Sequence, residues 1–363
     1  MAVAHGGNVY EIASRLGCSP DLLLDYSASI NPLGPPPGLL EAFHAAFHRL
    51  QHYPDISNRS LLDALARFHD LPLSRIVPGN GSTELIYWLP QALGIRKACI
   101  VLPTFGEYRK AFELQDVSMH SLVTGPETDF QPTVEALDAV CRTAAPEAIL
   151  FTHPGSPSGT LLPPDVRRWI LEKSRAGEIV CIVDEVFVDF CEEESLKGAL
   201  RGDERSLVLI RSMTKFYGIP GLRLGYLLTS EVIADRMRRL LPPWSVNTLA
   251  QMAGAHCLAQ DAYRGETLVL VERERKVCAE ELGKLKGLKV YPGWANYLLV
   301  ELGRDLPPAD VLQEELLRSH HILIRDCRSF EGLNDHFIRL AIRLPEQNRR
   351  VLDGIAEWVR AHG

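Results

Sequence analysis

Short apolar runs alternate along this chain with longer stretches whose apolar residues recur every three or four positions. Runs at 98–102, 148–152, 178–183, 207–210 and 225–229 are rich in Ile, Val, Leu and Cys and are bounded by Gly, Pro or Asp. They predict buried strands. Further strands are expected at 290–300, 322–327 and 337–343, and a short extended segment at 24–26 runs into an Asn-Pro turn. Helical spacing covers about 37–51, 83–93, 231–240, 262–286 and 345–361, the first ending before Pro54. Strands alternating with helices predict an α/β fold with a mostly parallel sheet. Ligands of such sheets bind beyond the carboxyl ends of the strands, so chemistry is sought there.

Composition narrows the function classes. At 363 residues and 46% hydrophobic content, the chain can bury one large core or two smaller ones. A net charge of −7 gives no footprint for nucleic acid or an anionic membrane. No apolar run reaches the roughly 18 residues of a bilayer span. Eight cysteines lie scattered without C-x-x-C or Cys/His metal spacing. With no secretory signal read at the start, reduced thiols and a cytoplasmic location are expected.

The densest chemistry follows the 207–210 run. Ser212, Thr214, Lys215 and Arg223 are punctuated by Gly218, Gly221 and Gly225. A lysine at a strand end among apolar neighbours loses hydration, which lowers its pKa and frees the amine as a nucleophile. The hydroxyls and the arginine suit an anion, most simply a phosphate. S-x-x-K alone equally allows two surface charges in a Gly/Pro loop, or a serine acyl-enzyme. Gly81, Ser82 and Thr83 open the helix expected at 83–93, and free N–H groups there also suit phosphate. Gly79-x-Gly81 lacks the third glycine of a dinucleotide fingerprint.

Other candidates stand at strand ends. Phe105 follows the 98–102 run, placed to stack on a ligand or to fill the core; Asp184 ends the 178–183 run. Arg325, Arg339 and Arg343 sit in apolar strands, costly unless each finds an anion or a salt bridge. His44, His48 and His52 share a helical spacing but lack an accompanying carboxylate, so no metal site is expected. His5-Gly6-Gly7 would suit an esterase oxyanion loop only with a G-x-S-x-G elbow, which is absent.

Extended through Pro220-Gly221-Leu222-Arg223, the lysine segment resembles that of fold-type I enzymes that use pyridoxal 5'-phosphate, the class I and II aminotransferase superfamily. His5-Gly6-Gly7-Asn8 with Asp25-Tyr26-Ser27-Ala28-Ser29-Ile30-Asn31-Pro32-Leu33-Gly34 resembles the L-threonine O-3-phosphate decarboxylases, close relatives of histidinol-phosphate aminotransferases. The resemblance spans nearly the whole chain. It implies an N-terminal arm over 1–35, a large cofactor-binding domain over 36–245 with a mostly parallel sheet flanked by helices, and a smaller α+β domain over 246–363.

By the same resemblance Lys215 carries the cofactor as an imine and Asp184 pairs with its ring nitrogen. Phe105 stacks on the ring; Gly81, Ser82, Thr83, Ser212, Thr214 and Arg223 hold the phosphate, joined by Tyr53 from a neighbouring subunit. Arg339 clamps the substrate carboxylate, while Arg325 and His5 take the substrate phosphate. A homodimer with shared active sites follows, binding a small phosphorylated amino acid.

The expected reaction is decarboxylation of L-threonine O-3-phosphate to (R)-1-amino-2-propanol O-phosphate and carbon dioxide, a step of cobalamin synthesis. The alternatives are a histidinol-phosphate-type aminotransferase and a cofactor-binding protein with little turnover. Two positions depart from the family pattern: Ser156 replaces an asparagine, and Phe187 a tyrosine common in the aminotransferases. Both usual residues bind the cofactor's ring oxygen, so a raised imine pKa is predicted. A spectral pH titration giving an ordinary family value would refute it.

Overall fold

The computed structural model describes residues 6–363, so His5 lies outside the described residues. Its strands are β1 (Leu24–Asp25), β2 (Ile76–Asn80), β3 (Lys97–Leu102), β4 (Ser118–Val123), β5 (Ala148–Thr152), β6 (Val180–Asp184), β7 (Leu207–Ser212), β8 (Leu224–Thr229), β9 (Leu288–Val290), β10 (Tyr297–Leu302), β11 (Ile322–Leu323), β12 (Arg325–Asp326) and β13 (Phe337–Ala341). Seven of them form one sheet in the order β2-β8-β7-β6-β5-β3-β4. Every pairing from β4 to β7 is parallel; β8 runs antiparallel to both β7 and β2.

Successive residues of these strands serve two cores. Cys99, Ile149, Cys181, Val183 and Leu209 pack on one face, and Ile100, Leu150, Ile182, Val208 and Ile210 on the other. A sheet covered by helices on both faces has no polar side, which is why its strands read as continuous apolar runs. β2 and β4 escape that pattern. Pro78, Gly79 and Asn80 make β2 read as a turn, yet it forms an edge strand against β8. The burial of β4 alternates in part, as its place on the other edge allows.

A second sheet, β12-β13-β10-β9, is antiparallel throughout. Here two expectations need correction. The 290–300 segment is not one strand: β9 ends at Val290, β10 starts at Tyr297, and the chain between them turns so that the two pair antiparallel. The 322–327 segment is likewise split: β11 pairs with β1, whereas β12 pairs with β13. A continuous apolar sequence does not reveal that its halves belong to different sheets.

The segment after β1 is pinned from both sides. Arg343 donates to the carbonyls of Asp25, Ala28 and Ile30. Asn31, 2% exposed, donates to the Phe216 carbonyl at 2.6 Å, and its backbone N–H reaches the Lys215 carbonyl at 2.9 Å. The turn read at Asn31 is therefore also a tie to the lysine segment.

Candidate active site

Four loops meet beyond the carboxyl ends of the parallel strands. Ser212 ends β7 and caps the short helix Met213–Phe216, its Oγ accepting from the Thr214 N–H at 3.3 Å. The two hydroxyls lie 2.8 Å apart, and the Lys215 Nζ donates to Thr214 Oγ1 at 2.9 Å. The Lys215 side chain is half-buried among apolar strands. Burial, then the Arg223 guanidinium, then Arg339 lower its pKa to about 8; Asp184 acts in the opposite direction.

Arg223 adopts a left-handed backbone, φ 58°, which turns the chain back into β8. Its guanidinium lies over Gly81, the first residue of the helix Gly81–Leu93. A Cβ on Gly81 would fall 2.6 Å from Arg223 Nη2, and one on Gly225 only 2.8 Å from the Gly81 carbonyl carbon. Glycine at both positions lets helix start, strand and arginine close around a small space. Ser212, Thr214, Arg223 and the first N–H groups of that helix converge there, and all can donate to an anion.

Asp184 ends β6 with 5% exposure. Its Oδ1 accepts from the Val186 N–H at 2.8 Å, and Tyr108 donates to its Oδ2. Burial pushes its pKa up to about 6, against the downward pull of Tyr108, Val186 and Lys215. Behind it, Glu185 pairs at 3.0 Å with Arg211, wholly buried beside Ser212; this ion pair ties β6 to β7 next to the residues both strands present. Phe105 is half-buried at the end of the β3 loop, its ring edge-on to Tyr108 with centroids 5.9 Å apart.

The β5 loop carries His153 to Gly159. Ser156 is 8% exposed, and its Oγ accepts from Arg339 Nη1 at 3.4 Å. His153 is fully buried and braces the loop: its Nδ1 accepts from the Leu162 N–H and its Nε2 donates to the Glu194 carbonyl, each at 3.0 Å. That arrangement requires a neutral ring. Burial drives the His153 pKa from 6.5 down to about 4. Because the unfolded chain binds this proton more readily, stability is complete above pH 6.5 and falls as pH drops toward 4, by about 3 kcal/mol. Thermal melts across that window are expected to show this loss and to show less of it for His153→Asn.

From the second sheet comes Arg339, 8% exposed. Its Nη2 donates to the Ser27 carbonyl at 3.1 Å, and its guanidinium lies 5.1 Å from the Tyr297 ring centroid. Arg339 makes no ion pair with any carboxylate among the described residues. Arg325, directly opposite in the β12–β13 register, donates to Ser329 Oγ at 2.6 Å. Burial and the neighbouring Arg339 charge both lower the Arg325 pKa. Tyr297, also buried, donates to the Gly155 carbonyl at 2.5 Å and has Ser156 within hydrogen-bonding reach.

The structure thus gathers Lys215, Asp184, Ser212, Thr214, Arg223, Gly81, Ser82, Thr83, Phe105, Ser156, Arg325 and Arg339 around the strand ends. Tyr53 is not among them: it is 80% exposed and stacks on Trp244 at 4.7 Å. Tyr108, Tyr297, Asn31 and His153 had no site role in the sequence. Only Tyr108, three residues after Phe105, carried a signal that spacing could have given. Among the described residues no metal-holding cluster of His, Cys, Asp or Glu occurs. An anion cup, an amine of lowered pKa, a buried carboxylate and an aromatic face make up the donor set that a phosphorylated pyridine aldehyde requires.

A family model described as aminotransferase class I and II matches residues 23–355. A threonine-phosphate decarboxylase of Salmonella typhimurium is 39% identical over 96% of this chain and 94% of its own. An adenosylcobalamin biosynthesis bifunctional protein of Leptospira interrogans is 30% identical over 97% of this chain and 40% of its own. The crystal structure of the histidinol-phosphate aminotransferase from Clostridium acetobutylicum superposes with a TM-score of 0.86 at 29% identity, covering 93% of this chain and all of that one. With a family match over most of its length and this fold, the chain belongs to the class I and II aminotransferases, a family of pyridoxal phosphate-dependent enzymes.

Proposed function

We propose that this enzyme decarboxylates L-threonine O-3-phosphate to (R)-1-amino-2-propanol O-phosphate, as part of cobalamin synthesis. The observation that carries the reading is the buried pair Arg339 and Arg325, cross-strand neighbours of which Arg339 lies close enough to Lys215 to lower its pKa. Two adjacent cations suit a substrate with two anionic groups. Threonine phosphate has a carboxylate and a phosphate, whereas histidinol phosphate has only the phosphate. The 39% identity to a threonine-phosphate decarboxylase supports the same choice.

Bound pyridoxal phosphate supplies an aldehyde for covalent attachment and a ring that withdraws electrons from the substrate Cα. Ser212, Thr214, Arg223 and the backbone of Gly81, Ser82 and Thr83 would hold its phosphate, and Phe105 would cover the ring. Lys215 would provide the attaching amine, and Asp184 would present negative charge to the ring nitrogen. Arg339 would grip the substrate carboxylate and so fix the orientation of the groups about the substrate Cα. Arg325 and His5 take the substrate phosphate, with Ser156 beside the carboxylate clamp. The Lys215 amine would also be the group placed to return a proton to Cα after carbon dioxide leaves.

The same reading keeps the division at residues 35 and 245, a cytoplasmic location and a homodimer. Exposed Tyr53, Leu40, Phe47, Leu50 and Ile56 support the dimer, because a second copy would cover them and bring Tyr53 to its partner's phosphate cup. The second reading, an aminotransferase for a phosphorylated amino compound, draws on the structural likeness to the Clostridium enzyme. Adding L-threonine O-3-phosphate to the holoenzyme separates the two. Carbon dioxide with retention of the aldehyde absorbance is expected; conversion to the amine form without carbon dioxide would favour the aminotransferase.

A further inference from the structure

Asp184 has one donor on each carboxylate oxygen. The backbone N–H of Val186 serves Oδ1, and the phenol of Tyr108 serves Oδ2. A carboxylate at 5% exposure has lost nearly all its water, so these donors, together with the nearby Lys215, decide whether it keeps its charge. Val186 belongs to the same turn as Asp184 and follows wherever it goes. Tyr108 comes from a separate helix, Glu107–Glu113, and is itself 1% exposed. Burial and the neighbouring Asp184 charge hold the Tyr108 pKa well above its ordinary value, so the proton stays on the phenol.

We propose that Tyr108 is the positioning residue that keeps Asp184 anionic and holds its carboxylate in one orientation. This rests on the reading of Asp184 as partner of the cofactor's ring nitrogen. A phenol suits the task because it donates a hydrogen bond without titrating anywhere near neutral pH. The sequence supports the geometry: Phe105 and Tyr108 lie three residues apart, so one turn of chain delivers both the ring-facing aromatic and the donor behind the carboxylate.

The test is the affinity of the apo protein for pyridoxal phosphate, followed by absorbance from pH 5.5 to 8.5. Loss of one charge-assisted hydrogen bond is expected to raise Kd about tenfold at pH 7 for Tyr108→Phe. Without that donor Asp184 takes up its proton more readily, so the pH at which binding weakens should move upward by about one unit. Site-specific 3-fluorotyrosine at position 108, a stronger donor, should move it downward. Melting of the apo proteins at pH 8 reports whether each variant is folded. Binding curves that superimpose on wild type, for Tyr108→Phe or for the fluorotyrosine protein if the first does not fold, overturn the proposal. Asp184→Asn measured alongside separates the two ideas. If it weakens binding and Tyr108→Phe does not, Tyr108 alone has failed; if it binds as wild type does, the role given to Asp184 has failed.

Discussion

Lys215→Ala is expected to abolish turnover, with kcat reduced by about 10⁴-fold or more, because one side chain supplies both attachment and proton transfer. The lowered pKa makes the loss severe. With a pKa of about 8, Lys215 has roughly 200 times the neutral-amine fraction at pH 7.5 of a lysine titrating at 10.5. That amine is created by burial and by two guanidinium groups, so no solvent-exposed lysine replaces it. The protein should still bind pyridoxal phosphate, since the anion cup is built from other residues. Borohydride reduction followed by mass spectrometry tests this directly. Wild type is expected to carry the reduced adduct on the peptide containing Lys215, while the alanine variant releases its cofactor on denaturation. An adduct on another lysine of wild type would remove Lys215 from the mechanism.

Arg339→Leu is expected to lower kcat/KM for L-threonine O-3-phosphate by about 10²–10³-fold, as befits loss of a buried charge-assisted contact. Cofactor affinity should change little, because the contacts of Arg339 are with Ser27, Ser156 and Tyr297 and not with the phosphate cup. Two further results separate an anion clamp from a structural strut. Arg339 lowers the Lys215 pKa, so its removal should shift the alkaline-going limb of the pH–rate profile upward. Because Arg339 makes no ion pair with a carboxylate among the described residues, the apo variant should melt close to the wild-type temperature. Arg339→Lys should restore charge but only part of the activity, since an ammonium lacks the planar fork that grips a carboxylate at two points. A variant that melts well below wild type with unchanged KM would show that Arg339 serves the fold instead.

The two residues differ in how readable they were. Lys215 stands in a contiguous stretch in which hydroxyls, glycines and Arg223 share one strand-loop-strand turn. Local chain geometry alone therefore brings most of the anion cup together. Arg339 was recognisable as an anomaly, a guanidinium in an apolar strand, but its surroundings were not. The Ser27 carbonyl it contacts lies 312 positions away, and Ser156 lies 183 away. Tyr108 was less visible still: a tyrosine on a short amphipathic helix reads as core, and its partner Asp184 is 76 residues distant.

The sequence by itself determined the layered α/β class, the strands that a sheet buried on both faces must have, and the contiguous lysine-to-arginine turn. These depend on periodicity and on backbone freedom, which act over a few residues and are written directly in residue order. The tertiary structure alone decided that the 290–300 and 322–327 segments divide between strands, that β2 pairs at the sheet edge, and that Arg339 meets Arg325, Ser156 and Ser27. It also set Tyr108 behind Asp184. Sheet register and the docking of one layer on another fix those contacts, and register is a collective outcome of every buried side chain rather than a property of any one segment.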